Sequence, residues 1–314
     1  MSILTVTLHP AIDKVLRVRR LRPNEVARCT IEMVHGGGKG NNVARALTRI
    51  QCPVTTTGFQ GGYSGAFITE NIEAEGIRTS FVDCREPTRT STVLQVEETG
   101  DTYALYEPGQ SVTEAEIERL YQHYRGLLKD ASMLIYCGSG QTDLLAPVYA
   151  RMIEMAKQVD TPTLLDSSGE ALKLGIEATP YMVKVNRNEL GGYFQRELDT
   201  RDQQIAAMLE LQQSGIHIVA LSRGEGGLIA TDGNEVWEGA LQVASIVNVV
   251  GCGDSQLAGI AKQIHGCASL KEIVRWGVAC GTANTQVRGA GRIELETVQE
   301  MLHQVHLVEL PLSD

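Results

Sequence analysis

From residue 113 onward the chain alternates short apolar runs with helical patterns, and this restricts its fold more than any other feature. Thr113 and Glu116 have capping-box spacing, so "TEAEIERLYQHY" opens a helix. Strands are expected at "MLIYCG" (133–138), "TLLDSS" (163–168), "MVKVN" (182–186) and "IHIVALS" (216–222). Helices are expected near 143–158, 187–195, 200–214, 254–265 and 269–285, the last capped by Ser269 with Glu272. "GGLIATDG" with "NEVWEG" predicts a hairpin. Strand and helix in such regular turn require crossover connections, which give a mainly parallel sheet with helices on both faces. The expected class is α/β, doubly wound.

The N-terminal third fits that plan only in part. "ILTVTL" (3–8) and "VTTTGFQGG" (54–62) read as strands, and Val43, Leu47 and Ile50 share one helical stripe. "KVLRVRRL" (14–21) alternates apolar and basic residues, and "VARCTIEMVHGG" (26–37) reads as its partner. "TRTSTVLQVEE" (88–98) and "DTYALYEPG" (101–109) predict a hairpin about Gly100. Both pairs belong to a small separate sheet, a lid over one end of a single domain, inserted at about 14–35 and 88–107.

The chain has 314 residues and net charge −10, which argues against nucleic acid or an anionic membrane as the main partner. Anionic small substrates need only a local basic pocket. Seven cysteines are scattered without a C-x-x-C pair, so neither a disulfide framework nor structural zinc is expected. No H-E-x-x-H occurs; His303 and His306 are expected on one helix face near the C-terminus. "MSILTVTLHPAID" lacks the features of a secretory leader, and no apolar run is long enough to span a bilayer. A reduced, cytoplasmic protein is expected.

Two glycine clusters carry the chemistry. In "VVGCGDSQLAG" (249–259), Gly251 and Gly253 flank Cys252 just before a helix. N–H groups of 251–254 would point outward there, forming a nest for negative charge aided by the helix dipole. Asp254 reads equally well as a helix cap and as a base beside a bound phosphate. "HGGGKGNN" (35–42) is not a P-loop, because Lys39 is followed by Gly. Lys39, Asn41 and Asn42 can contact a polyol or phosphate, and flexible connection of lid to core explains the glycines equally well. In "KVNRNEL", Lys184, Asn186 and Glu189 sit where open α/β sheets bind ligands. Glu189 can orient a metal-bound water or simply favour a helix N-terminus. In "ALSRGEGG", Ser222 and Gly224 can lie along a nucleotide phosphate tail. Arg89 in "PTRT" can clamp an anion or be an ordinary surface arginine.

In this order, "GGGKGNNVARAL", "VKVNRNEL" and "NVVGCGDSQLAG" resemble the ribokinase-like carbohydrate kinases, the phosphofructokinase-B family. "TVTLHPAID", "GFQGG", "TRT", "YEPG" and "DSSGEAL" are similar to its sugar-phosphate branch, which comprises 1-phosphofructokinase, tagatose-6-phosphate kinase and the minor 6-phosphofructokinase. The resemblance runs through nearly the whole chain. It implies ATP-dependent phosphoryl transfer to a hydroxyl of a hexose phosphate. Asp254 would be the base, with the N–H groups of Gly251, Cys252 and Gly253 as anion hole. Asp13, Gly38 and Asn42 would hold the sugar, and Arg89, Lys39 and Ser139 its phosphate. Lys184, Asn186, Ser222, Gly224, Gly227 and Asn284 would line ATP, and Glu189 would position Mg2+ through water. K+ is a further possible cofactor, and a homodimer through the lid is implied. Alternatives are a kinase of an unphosphorylated sugar, polyol or nucleoside, and a non-catalytic nucleotide- or sugar-binding regulator.

Three departures bear on the substrate. "CGSGQTD" stands where the branch usually has a Leu-Pro turn, and no lysine occupies 22–30. Cys252 replaces a small Ala or Ser, and its helix-terminal place can lower its thiol pKa. Redox control through it is not expected.

Overall fold

The computed structural model describes residues 2–140 and 142–311. Gln141, within the "CGSGQTD" departure, lies outside the described residues.

The main sheet has eleven strands. Its parallel part is β1 (Ser2–Thr7), β4 (Val54–Gln60), β5 (Arg78–Thr79), β6 (Val82–Asp83), β9 (Ala131–Cys137), β10 (Thr163–Asp166), β11 (Met182–Asn186) and β12 (Ile218–Ser222). β13 (Leu228–Thr231), β14 (Val236–Ala240) and β15 (His306–Leu310) extend it antiparallel beyond β12. The order is β15-β14-β13-β12-β11-β10-β9-β1-β4-β5, with β6 also on β4. The order turns back at β1, between β9 and β4, the kind of place where open α/β sheets bind ligands.

Helices cover both faces. α3 (Glu114–Leu128), α4 (Val148–Lys157), α5 (Gly169–Glu177), α6 (Arg187–Phe194) and α7 (Arg201–Gln212) pack one core around Leu120, Tyr136, Tyr149 and Leu221. α1 (Lys39–Arg49), α2 (Gly62–Ala74), α8 (Cys252–His265), α9 (Leu270–Thr285) and α10 (Leu295–Leu302) pack the other around Leu47, Ile68, Ile260 and Val274. Thr113 caps α3 with Glu116 in a full capping box, and Thr200 caps α7 with Gln203 likewise.

A separate four-stranded sheet has the order β3-β2-β7-β8, from β2 (Ala11–Val18), β3 (Thr30–Gly37), β7 (Arg89–Val96) and β8 (Thr102–Tyr106). The two predicted hairpins are its outer pairs, joined by parallel pairing of β2 with β7.

Some expectations need correction. His306 is not on a helix: α10 ends at Leu302, and His306 starts β15 on Ala240 of β14. The Leu302–Val305 turn breaks the helical period between the two histidines. The helix expected near 143 begins at Val148, because Thr142 accepts the Leu145 N–H in a preceding turn. α2 and α5 also escaped the sequence reading. Both start at glycines with positive φ, Gly62 at 61° and Gly169 at 60°, which read as loop residues.

Candidate active site

The site lies at the carboxyl ends of β1, β9, β10, β11 and β12, where α1 and α8 point their N-termini. Gly251 caps α8 in the left-handed region, φ 84°, and a Cβ there would collide with Ala290. Only glycine satisfies both demands. Among the described residues, the first capped carbonyl of α8 is that of Gly251, which accepts from Ser255 N–H at 2.9 Å. The N–H groups of Gly253 and Asp254 precede that bond, so the first turn has no intrahelical acceptors for them. The Cβ direction of Gly253 meets only Lys184 Nζ, 3.5 Å away. The turn therefore opens on an ammonium group, a cradle suited to a phosphate.

Asp254 follows in the first turn of α8 and is buried. Its Oδ2 accepts from Asn42 Nδ2 at 2.9 Å. Burial pushes its pKa up and the nearby Asp166 adds to that, while the Lys39 charge, the Asn42 bond and Lys184 pull it down. Asp254 does not cap its own helix: Gly251 is the cap residue, and no side chain makes the cap bond. Asp254 thus stands inside the first turn rather than at the cap position.

Asp166 ends β10 and is the residue the sequence reading missed. Its Oδ1 accepts from Lys39 Nζ at 2.8 Å and its Oδ2 from Lys184 Nζ at 2.7 Å. Burial opposes its ionisation, but the two lysines outweigh that and hold the pKa at about 2. The same contact raises Lys39. Its only sequence signal was a charge closing an apolar strand. The pairing joins α1, β10 and β11, elements 127 and 18 residues apart in sequence.

The small sheet brings Asp13 and Arg89 to the same end. Asp13 on β2 faces His35 on β3 and Ser91 on β7. Burial pushes Asp13 up to about 6, against the pull of Arg45 and Arg89, and Asp254 adds a further push. A Cβ on Gly37 would collide with the Asp13 carboxylate. Arg89 starts β7; its Nη1 makes one long 3.4 Å bond to the Glu107 carbonyl, and its buried Nε has no protein partner. The guanidinium is therefore only lightly engaged by the protein. Gly38 caps α1 and its carbonyl accepts the Asn42 N–H. Ser139 follows β9 and is half-buried.

A cavity of about 530 Å³ extends from this turn. Ser222, Gly224, Gly227, Cys252, Gly253 and Thr285 are among its walls. Asn284 is not. It is fully buried, takes Ser255 Oγ–H at 3.0 Å and Gly291 N–H at 2.8 Å, and donates to the Val250 carbonyl at 2.8 Å. It pins the loop behind the turn rather than facing a ligand, because those bonds already engage both ends of its amide. Asn186 and Glu189 form a capping box on α6, with bonds of 2.8 and 3.0 Å. One oxygen of Glu189 remains for a ligand, and burial raises its pKa. Among the described residues no cluster of three metal-ligating side chains occurs. Cys252 departs from expectation: burial raises its thiol pKa more than the Asn284 bond lowers it. The thiol accepts from Asn284 Nδ2 at 3.6 Å, which favours the thiolate, but burial and the nearby Asp254 charge oppose it.

Residues 6–297 match the pfkB family of carbohydrate kinases. The chain belongs to that family. It is 29% identical to 1-phosphofructokinase of Bacillus subtilis over 309 residues, covering 98% of this chain and 100% of the relative. Phosphofructokinase-2 from Escherichia coli is similar in three solved states. The tetrameric inhibited form is 28% identical with TM-score 0.88, the complex with potassium 27% with 0.89, and the complex with fructose-6-phosphate 27% with 0.87. Each alignment covers 96% of this chain and 98% of the other. Among the described residues no helix is long and apolar enough to cross a membrane.

Proposed function

We propose that this pfkB-family carbohydrate kinase moves the γ-phosphoryl group of ATP to a hydroxyl of a hexose phosphate, with Asp254 as general base. The observation that carries this is the meeting of a buried carboxylate, held by Asn42 at 2.9 Å, with a helix turn that opens on Lys184. The 530 Å³ cavity beside the turn takes the nucleotide. Asp13 orients the acceptor, and the guanidinium of Arg89, bonded to the protein only through one long Nη1 contact, takes its phosphate.

The acceptor hydroxyl passes its proton to Asp254 as its oxygen attacks the γ-phosphorus, and ADP leaves. Backbone N–H groups of Gly251, Cys252 and Gly253, the second of which now makes only a long 3.5 Å bond to the Val249 carbonyl, hold the charge that develops on the transferred group. Lys39 and Lys184, kept apart by Asp166, neutralise the phosphates in a chain that is acidic overall. Glu189, with one oxygen left over from its capping bond, would hold Mg2+ through water, and the ion would supply charge neutralisation of the phosphates. Such hydrated Mg2+ needs only one or two carboxylates, which fits the sparse ligand set here. K+ dependence is part of the proposal, on the likeness to a relative solved with potassium.

Ile31, Leu105 and Tyr106 of the small sheet are 58%, 57% and 64% exposed, which supports a homodimer through that sheet acting as lid. A monomer by light scattering would refute it. Seven free cysteines suit a reduced cytoplasm, where we place the protein; localisation of a tagged chain tests this.

The deciding experiment is an ADP-release assay over fructose 1-phosphate, fructose 6-phosphate, tagatose 6-phosphate, free fructose and a nucleoside, with K+ or Na+. Turnover only with the unphosphorylated compounds would refute the sugar-phosphate reading. Asp254→Asn is expected to keep substrate binding and lose about 10²–10⁴ in kcat. A loss under about threefold, far below that range, would end the base assignment.

A further inference from the structure

Arg45 has no part in the chemistry above, yet it is among the most buried side chains of the protein, 1% exposed. It lies on α1, one turn beyond Asn42. Its Nη1 donates to Asn42 Oδ1 at 3.1 Å and to the Ala290 carbonyl at 3.3 Å. Its Nη2 donates to the Gly36 carbonyl at 2.7 Å, and its Nε to Glu75 Oε2 at 2.5 Å. Glu75 also pairs with Arg292 at 3.2 Å.

Those acceptors belong to different parts of the site. Gly36 lies in β3 of the small sheet. Ala290 abuts Gly251, the cap of α8. Asn42 carries the bond to Asp254.

An amide has an oxygen that accepts and an NH2 that donates, and the guanidinium can only donate. Arg45 therefore fixes which end of Asn42 faces it. If the amide turned over, its NH2 would meet the guanidinium and its oxygen would meet the Asp254 carboxylate. Both contacts would repel. With the oxygen held by Arg45, the NH2 must face Asp254. That bond favours the ionised carboxylate, the form that can accept a proton.

We propose that Arg45 is a positioning residue for phosphoryl transfer: by pinning the Asn42 amide, and with it the Gly36 and Ala290 backbone, it keeps Asp254 ready to take a proton. The proposal rests on Asp254 being the base. Other groups also act on Asp254: Lys39 from α1, Asp166 from β10, Lys184 from β11, Asp13 from β2, Cys137 from β9 and Cys252 beside it. Arg45 itself is faced by Glu75, Arg292 and Asp13. His35 lies beside it, held neutral by burial and the two arginines, with a pKa of about 4.

The test is Arg45→Lys, which keeps the charge and loses the fork. Misplacement of this kind costs about 10–100-fold in kcat, with KM for ATP nearly unchanged. The acid limb of the kcat–pH profile should move to higher pH, because Asp254 loses its donor. In an Asn42→Ala background the same substitution should move the limb no further. A folded Arg45→Lys with unchanged kcat and acid limb, or one altered only in KM, would overturn the proposal. So would an equal shift of the limb in the Asn42→Ala background. If Arg45→Lys does not fold, Glu75→Gln decides. It sits at a helix end, keeps its size and loosens the guanidinium, so the limb should again rise; no shift refutes. Asp254→Asn run alongside separates the two claims: if that variant stays active the base reading fails, and if only the Arg45 variants are silent this inference fails alone.

Discussion

Asp166→Asn is the sharpest probe of how the site is held together. One carboxylate buried at the end of β10 separates two ammonium groups at 2.8 and 2.7 Å. Its pKa is held at about 2 against an ordinary 3.8. Two units at about 1.36 kcal/mol each give about 2–3 kcal/mol of stability at neutral pH. The sign follows from the depressed value: this contribution is present above pH 3.8 and is lost as pH falls through about 2. Replacement costs more than protonation, because each Asp166 oxygen accepts from an ammonium group and the asparagine NH2 that replaces one of them can only donate, so it faces a lysine donor to donor. Breaking such a pair costs about 3–5 kcal/mol. At about 2.1 cal/mol/K per residue, the unfolding entropy of a chain this long is about 0.66 kcal/mol/K, so Tm should drop about 5–8 °C. Differential scanning calorimetry at pH 7 measures it. The control is Arg151→Gln, which breaks the exposed 2.9 Å pair with Glu154 and should cost under about 1 kcal/mol. If Asp166→Asn unfolds within about 2 °C of the parent, the ion pairs are not what holds the site.

Two further predictions follow from the geometry. Asp13, pushed up to about 6, opposes the fold when ionised; its favourable share is present below pH 3.8 and lost as pH rises through about 6. Allowing for its 29% exposure, Asp13→Asn should stabilise the unliganded protein by about 1–2 kcal/mol at pH 8, and less at pH 5, while raising KM for the acceptor. Thermal shifts that are equal at both pH values would contradict this. Gly251→Ala forces a side chain into φ 84° and against Ala290; strain of about 1–2 and crowding of about 1–3 kcal/mol should displace the turn and remove most of kcat. Steady-state rates within a factor of two of the parent would show that the turn is not part of the site.

The sequence determined the layers of this protein, and tertiary structure decided the site. Periodicity is a local property: Val43, Leu47 and Ile50 share a stripe whatever surrounds them, and the capping boxes at Thr113 and Thr200 act within one turn. Alternating patterns likewise gave both pairs of the small sheet, though not the parallel seam of β2 with β7, which depends on residues some 78 positions apart such as Ala11 and Arg89. Glycine flanking Cys252 marked the turn before α8, because the need for positive φ is written in the residue type. Asp254 was legible as a candidate, but its choice between cap and base was not; the Asn42 bond, spanning 212 positions, settles its surroundings. Asp166 and Arg45 were silent for the same reason. A buried charge is defined by its partners, and those partners, Lys39 with Lys184 and Glu75 with Asn42, come together only when the chain closes.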